Sequence, residues 1–277
     1  MINLNALVYG VEISNLSPLV YYAGNDEDIK IGDLVLVNTD MGLDVGKVRI
    51  GPKEMTFEEI GYEVTSILRK LNEDDMITYK ENIELAQKAK NITEKKAKEL
   101  NLPMRILSSR VVFDRSKIIV FFGSDTRVDF RDLVKELAKE FKARIELRQI
   151  GIRDEVKLIG ALGLCGQQTC CSRFLRNFDS IKMEMAKTQQ MLINTAKISG
   201  RCGRLMCCLA YENEFYEKSL HCIPNEGSTI EYENVPAKVI TVNVFLKQVT
   251  LQIIENNQPV IVKLPFDYFK KNCPIGD

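Results

Sequence analysis

The sequence predicts an α+β fold with a small N-terminal β-rich module, a helical hairpin, a central ββαβ unit plus a cysteine-rich segment, and a C-terminal small β-barrel. Short β runs separated by turn residues occupy both ends of the chain, at 6–50 and 227–264. A stretch of helical apolar spacing follows the first group, and a strand-strand-helix-strand succession follows at 105–150. These patterns divide the chain into modules at 1–53, 54–101, 102–222 and 223–277.

The composition is that of a globular protein. The chain has 277 residues, of which 45% are hydrophobic, with 38 basic and 38 acidic side chains. This length suffices to bury a core without disulfide staples, and disordered and collagen-like classes are excluded. The chain contains no run of about 18 apolar residues, so no membrane-spanning helix is predicted. Its first residues also lack the features of a signal peptide. We therefore expect a cytoplasmic protein without membrane insertion, whose thiols are kept reduced.

The N-terminal half contains the first two modules. Strand-like runs at 6–13, 34–38 and 45–50 alternate with turn residues, and Gly51-Pro52 ends the series. Two helices are then predicted, the first with apolar positions Phe57, Ile60, Val64, Ile67, Leu68 and Leu71. After a break at 72–75, the second places Tyr79, Ile83, Ala86, Ile92 and Ala97 inward and ends before Asn101 and Pro103. The pair predicts an antiparallel hairpin.

The central and C-terminal strands follow. Strands are predicted at 106–113, 117–122 and 143–150, with a helix over 128–142 between the second and third. Near the C-terminus, alternating runs predict the strands of the small barrel, at 239–244, 249–254 and 260–264.

Six of the eight cysteines form a repeated motif. The pattern Cys-Gly-x-x-x-Cys-Cys occurs twice with an offset of 37 residues, and Gly163 and Gly200 each precede the first Cys of a copy by two positions. Thiolate ligands converge from sharply bent backbone, which glycine tolerates. The candidate metal ligands are Cys165, Cys170, Cys171, Cys202, Cys207 and Cys208.

The motif is compatible with four interpretations. An iron–sulfur cluster needs four thiolates, which two copies can supply, and zinc uses the same ligands at similar spacing. The adjacent cysteines could instead be redox-active thiols, or small buried apolar residues. This chain could also supply only some of the ligands of a shared cluster. Cys222 and Cys273 stand outside the repeat and are interpreted as core or tail residues.

The sequence contains no pattern typical of an enzyme. The single histidine, His221, lies beside Cys222, and neither a phosphate-binding P-loop nor a dinucleotide-binding glycine motif is present. No catalytic residues are predicted.

Charge is concentrated in the middle of the chain. Residues 101–210 carry nine more basic than acidic side chains, although the whole chain has no net charge. This excess either faces nucleic acid or an acidic partner, or is neutralised by the flanking segments. The candidate nucleic-acid or partner surface comprises Arg144, Arg148, Arg153, Lys157, Arg173, Arg176, Lys182 and Lys187.

Three stretches carry a family resemblance. They are Arg127-Val128-Asp129-Phe130-Arg131, the run from Arg144 to Glu155, and both cysteine copies with Lys197-Ile198-Ser199 before the second. Over about residues 100–225 the chain closely resembles PSP1-domain proteins of the YaaT/RicT type. It departs from their common pattern at Leu164 and Gln167 and over the stretch from Met183 to Asn194.

The resemblance implies a bacterial cytoplasmic regulator without catalytic activity. Such proteins join small helical proteins of the YlbF/YmcA type, and the complex assists RNase Y in mRNA maturation and influences sporulation, competence and biofilm formation. The resemblance also implies a [4Fe–4S] cluster at the six repeat cysteines. Zinc is the alternative metal, from the cysteine spacing. Two other functions are considered: a protein that binds RNA or DNA directly, and a thiol redox sensor.

Overall fold

The structure is a computed structural model that describes residues 6–24, 28–255 and 258–271. The described chain forms two units: unit 1 contains the residues up to Phe178 together with Gly200–Arg204, and unit 2 contains Asp179–Ser199 and the residues from Leu205 onward. Cys273 lies outside the described residues. None of the helices in the described ranges is long and apolar enough to cross a membrane.

The N-terminal module of unit 1 is a five-stranded antiparallel sheet, which confirms the predicted β-rich module. Its strands are β1 (Ala6–Glu12), β2 (Val20–Ala23), β3 (Leu34–Thr39), β4 (Gly42–Met55) and β5 (Ile67–Lys70), in the order β2-β1-β4-β3-β5. Alternate residues of β1 and β3, such as Val11, Val35 and Val37, are fully buried in one core. The β3–β4 hairpin reverses at Gly42, whose φ of +117° is a left-handed value that favours glycine.

The predicted helical hairpin is wrong. Helix α1 (Phe57–Ile60) has a single turn and is followed by Gly61 at a φ of +76°. The chain then enters β5, where Ile67 pairs with Val37 of β3. The apolar spacing in this stretch fits a helix, but pairing with an exposed sheet edge outweighs so weak a local preference.

A single long helix, α2 (Glu73–Glu99), replaces the second half of the hairpin. It begins with a capping box, in which the Asn72 side chain accepts from the Asp75 N–H and the Asp75 carboxylate accepts from the Asn72 N–H. Arg69 also pairs with Asp75. At the other end Asn101 adopts a left-handed conformation, so the helix ends where the sequence predicts.

Replacing Asn72 by Ala should therefore destabilise unit 1 by about 1 kcal/mol, the usual cost of losing an N-cap. Chemical denaturation measures this change. Asn72→Ser, which keeps a capping oxygen, serves as the control and should retain most of the stability. Equal losses in the two variants would contradict the capping role.

The central ββαβ unit is confirmed. It comprises β6 (Arg105–Val111), β7 (Lys117–Gly123), helix α3 (Arg131–Phe141) and β8 (Arg144–Gln149). Strands β6 and β7 are antiparallel, whereas β7 and β8 are parallel, as a helical crossover requires. The helix begins three residues later than predicted, because Asp129 accepts from the Arg131 N–H just before it.

Strand β7 is buried on both faces, which explains its unbroken apolar sequence. On one face Ile118, Val120 and Phe122 contact the core formed with α2 and α3, including Leu133. On the other face Ile119 lies in a second cluster of apolar residues. After β8 the chain forms two further helices of unit 1, α4 (Ile152–Ile159) and α5 (Cys170–Arg173).

Unit 2 contains short helices followed by a sheet. The helices are α6 (Met183–Thr188), α7 (Thr195–Ile198) and α8 (Cys207–Leu220). Ala186, Ile198 and Leu209, one from each helix, form a small buried core. The sheet comprises β9 (Thr229–Tyr232), β10 (Val235–Asn243), β11 (Gln248–Glu255) and β12 (Gln258–Pro265), and α9 (Phe266–Lys270) follows it.

The predicted C-terminal barrel is not confirmed. In the described residues these strands form an open antiparallel meander in the order β12-β11-β10-β9. Closing a barrel requires the two edge strands to pair, and β9 has only four residues. The apolar face of the sheet is covered instead by Ile223 before it and Phe266 after it.

Candidate functional site

The first cysteine motif folds into a tight hairpin, here called the first knuckle (residues 161–169). The Gly163 N–H donates to the Gln167 carbonyl at 2.8 Å, and the Gly166 N–H donates to the Gly163 carbonyl at 3.0 Å. The base of the hairpin is closed by the Thr169 N–H, which donates to the Ala161 carbonyl at 2.9 Å. These bonds bend the chain sharply around Cys165.

The second motif repeats this hairpin 37 residues later, as the second knuckle (residues 198–206). The corresponding bonds join Gly200 N–H to Arg204 O at 2.8 Å, Gly203 N–H to Gly200 O at 2.9 Å, and Met206 N–H to Ile198 O at 3.0 Å. A helix begins at the second cysteine of each copy, α5 at Cys170 and α8 at Cys207. The sequence repeat is therefore a repeat of backbone structure.

A glycine with a left-handed backbone follows the first cysteine of each knuckle. The φ angle is +75° at Gly166 and +74° at Gly203. Apart from the glycine and its two chain neighbours, no atom of the described residues lies within 4 Å of the position that a Cβ would occupy at either site. Glycine is required at these two positions because of the left-handed backbone conformation, and not because a larger side chain would collide with a neighbour.

Replacing Gly166 or Gly203 by Val is therefore expected to destabilise its knuckle by roughly 1–2 kcal/mol. The matched variants Gly166→Asn and Gly203→Asn should cost less, because asparagine visits the left-handed region more readily. Hydrogen exchange of the knuckle amides would measure the local effect. If Asn and Val proved equally destabilising, backbone strain would not explain the glycines.

The cysteines of the two knuckles differ in exposure. Cys165 is exposed, Cys171 is buried, and Cys170, Cys202 and the adjacent Cys207 and Cys208 are intermediate. The tip of the second knuckle, with Cys202, belongs to unit 1, as the whole first knuckle does.

The donor chemistry suits a soft metal, although each knuckle alone is an incomplete site. A knuckle offers a thiol in its turn and further thiols at the start of the following helix, whereas a closed thiolate site needs four ligands. Among the described residues, no group of three or more Cys, His, Asp or Glu side chains is arranged to hold a metal ion. The residue types and the shared bend fit a metal site, and the assembled ligand set stays a prediction.

The predicted basic surface divides into separate groups. Lys157, Arg173 and Arg176 line one cavity of about 590 Å³ in unit 1, together with Arg49. The remaining residues are elsewhere: Arg144 starts β8, Arg148 pairs with Glu146, Arg153 lies over the Phe178 ring at 4.6 Å, and Lys182 and Lys187 belong to unit 2. Arg49 was not predicted, since it lies more than 100 residues away in sequence.

A buried carboxylate organises this basic cavity. Glu12, 5% exposed, pairs through Oε2 with Arg49 Nε at 2.6 Å and through Oε1 with Arg176 Nη2 at 2.9 Å. Arg176 Nη1 also donates to the Cys171 carbonyl at 3.2 Å. The cavity wall is thus tied to the helix that follows the first knuckle.

Lys157 is buried beside these cations. It is 5% exposed, and desolvation together with the charge of Arg176 lowers the pKa of its ammonium group. The nearby Asp154, Glu12 and Cys171 raise this pKa, but the lowering dominates. Keeping a charged lysine here costs stability.

Replacing Lys157 by Met should therefore increase the free energy of unfolding at pH 7. The folded-state pKa lies below the ordinary value of 10.5, so the unfolded chain binds more protons between the two values and the wild type gains stability there. The advantage of the variant should shrink as the pH rises toward 10.5. Denaturation at several pH values measures it, and a pH-independent difference would contradict the interpretation.

A second cavity of unit 1, of about 850 Å³, contains two arginines. Arg110 pairs with the buried Asp44, and burial together with Arg148 lowers the pKa of Arg110 to about 10. Arg148 in turn pairs with Glu146 at 2.6 Å. The cations of this cavity are therefore each matched by a carboxylate.

The histidine of the chain lies at the end of α8. His221 Nδ1 is 3.3 Å from Sγ of its neighbour Cys222, which has a φ of +64°. This contact joins adjacent residues outside both knuckles.

The two family models that match this chain both describe PSP1 proteins. The model of the PSP1 C-terminal conserved region matches residues 65–150, and that of the PSP1-like protein, third domain, matches residues 180–222. The second match contains the second knuckle, and the first knuckle lies between the two matches. No solved structure matches the chain.

Three relatives show how far the similarity extends. Stage 0 sporulation protein YaaT of Bacillus subtilis (strain 168) is 40% identical over 254 residues, 92% of each chain. Uncharacterized protein PB7E8.02 of Schizosaccharomyces pombe is 24% identical over 171 residues, which is 50% of this chain and 22% of that protein. Protein PSP1 of Saccharomyces cerevisiae is 46% identical over 46 residues, 17% of this chain and 6% of its own. The chain therefore belongs to the PSP1-domain family, among proteins of the YaaT type.

Proposed function

We propose that this protein is a non-catalytic regulatory adaptor of the cytoplasm whose two knuckles together hold an iron–sulfur cluster. The observation that carries the proposal is the identity of the two knuckles, bond for bond, around equivalent cysteines. A structural core does not require the same hairpin to be built twice around thiols. Two equivalent hairpins are what a site with paired thiolate ligands needs.

Four thiols occupy the equivalent positions: Cys165 and Cys202 in the turns, and Cys170 and Cys207 at the helix starts. These are the ligands we favour, with Cys171 and Cys208 beside them. A [4Fe–4S] cluster bound there would make the assembly sensitive to oxygen and iron supply, and zinc is the alternative occupant. The role of the chain itself is to bend the backbone and present the thiols.

We further propose that the adaptor works in a complex with small helical proteins of the YlbF/YmcA type, which assists RNase Y in mRNA maturation and acts on sporulation, competence and biofilm formation. The similarity to a protein named for stage 0 of sporulation supports the developmental role. Such a role requires docking surfaces and a switchable site, and no catalytic centre.

Affinity isolation of the tagged full chain from its own organism tests the adaptor role. We expect YlbF/YmcA-type proteins and RNase Y to be recovered with the wild type and lost with Cys165→Ser/Cys202→Ser. A control variant, Lys139→Gln, removes a charge outside the site and should recover them. Failure to recover these proteins with the wild type would contradict the proposal.

A nuclease assay tests the absence of catalysis. The metal-replete purified protein should leave RNA intact. Cleavage that disappears on substitution of a single carboxylate would show an enzyme instead.

A further inference from the structure

The basic cavity beside the first knuckle has an unusual charge balance. Four cations line it, Arg49, Lys157, Arg173 and Arg176, and among the described residues the carboxylate paired with them is Glu12. Glu12 is shared between Arg49 and Arg176. The cavity therefore carries a surplus of positive charge.

Two of the four cations, Lys157 and Arg173, are not held in an ion pair within the described residues, although Asp154 and Glu12 lie near Lys157. Within the described ranges, neither the Lys157 ammonium nor the Arg173 guanidinium makes an ion pair or a hydrogen bond. Lys157 is nine-tenths buried and still lines the cavity. Burial and the nearby charge of Arg176 make a charged Lys157 unfavourable, and an anion entering the cavity would offset this cost. Arg173 is exposed, so its guanidinium can reach such an anion.

The donors favour a phosphate group over a single carboxylate. Guanidinium groups present paired N–H donors that match phosphate oxygens, and an ammonium adds a compact positive charge. Asn177 supplies a neutral donor at the same wall, and Tyr21 offers ring surface. The volume of about 590 Å³ lies within the range of small-molecule sites.

We propose that this cavity binds the phosphate group of a nucleotide, either a free mononucleotide or a nucleotide of an RNA strand. Arg173 and Lys157 contact the phosphate oxygens directly. Arg176, fixed by Glu12 and by the Cys171 carbonyl, adds to the positive field. The aromatic ring of Tyr21 is placed to contact the base or sugar.

The larger cavity of unit 1 shows why the charge balance matters. Its two arginines, Arg110 and Arg148, are paired with Asp44 and Glu146. That cavity is roomier, at about 850 Å³, yet it has no surplus charge to offer an anion. Size alone therefore does not identify the site.

Calorimetric titration of the full chain tests the proposal, with inorganic phosphate, AMP and a short single-stranded RNA as probes. We expect saturable binding of at least one probe with one site per chain. Arg173→Gln and Lys157→Met should each weaken binding about tenfold or more, the usual effect of losing a charged hydrogen bond. The matched control Arg127→Gln removes an exposed arginine outside the cavity and should bind as the wild type does.

The three probes separate the sources of the phosphate. Binding of phosphate and AMP, weakened in both cavity variants, supports a free nucleotide. Binding of RNA alone, weakened in the same variants and falling with salt concentration, supports a strand. The proposal is overturned if no probe binds the folded wild type, or if both cavity variants bind as tightly as Arg127→Gln. It does not depend on the cysteines, so the result stands whether or not the knuckles hold metal.

Discussion

Replacement of Glu12 by Gln is expected to lower the free energy of unfolding of unit 1 by about 3 kcal/mol or more. The side chain of Glu12 is 4% exposed and pairs with two arginines, of which Arg176 is 20% exposed. Glutamine keeps the volume and removes the charge, which leaves Arg49, Arg176 and the neighbouring Lys157 without a carboxylate between them. Uncompensated charge in a buried place is among the most destabilising changes known for single substitutions.

Denaturant unfolding of the purified chain measures this loss. Arg49→Gln is the matched comparison, because it breaks the same ion pair at a side chain that is 45% exposed and so leaves less uncompensated charge. A loss for Glu12→Gln no larger than that for Arg49→Gln would show that Glu12 does not hold the cluster of cations together. Glu12→Gln/Lys157→Met should recover part of the stability, since one of the repelling charges is gone.

The second large effect is expected in the knuckles. Replacing Cys165 and Cys202 together by Ser should abolish metal binding, because each knuckle loses the thiol in its turn and a serine hydroxyl is a poor ligand for iron or zinc. The backbone of both hairpins should survive, since its hydrogen bonds are made by main-chain atoms. Lys139→Gln, outside the repeat, is the control and should leave the metal content unchanged.

The parts of the fold that the sequence predicts are those with strong local patterns. The apolar run of β7 and the amphipathic helix α3 identify the ββαβ unit, and the matched spacing of the cysteines predicts a repeat that the backbone confirms. The helix end at Asn101 follows from residue type in the same way. In these places the local preference and the tertiary fold agree.

The errors occur where tertiary contacts decide between similar local patterns. The residues of β5 have helical spacing, but they pair with β3 at the edge of a sheet. The C-terminal strands are correctly located, yet strand positions do not indicate whether a sheet closes. That depends on what covers its apolar face, here Ile223 and Phe266.

The sequence predicts only some of the residues that form the basic cavity. Lys157, Arg173 and Arg176 lie in one basic stretch of sequence, which the charge pattern detects. Glu12 and Arg49 come from β1 and β4, and nothing in the local sequence connects them with that stretch. The role of Glu12 cannot be predicted from its local sequence, because the arginines that pair with it come from distant parts of the chain.

Elemental analysis shows directly whether the two knuckles form one metal site. Iron, zinc and acid-labile sulfide should be measured in anaerobically purified full chain and in Cys165→Ser/Cys202→Ser. We expect iron with matching sulfide in the wild type and neither in the variant. Iron and sulfide retained in the variant, or a wild type without bound metal even when isolated together with its partners, would contradict it.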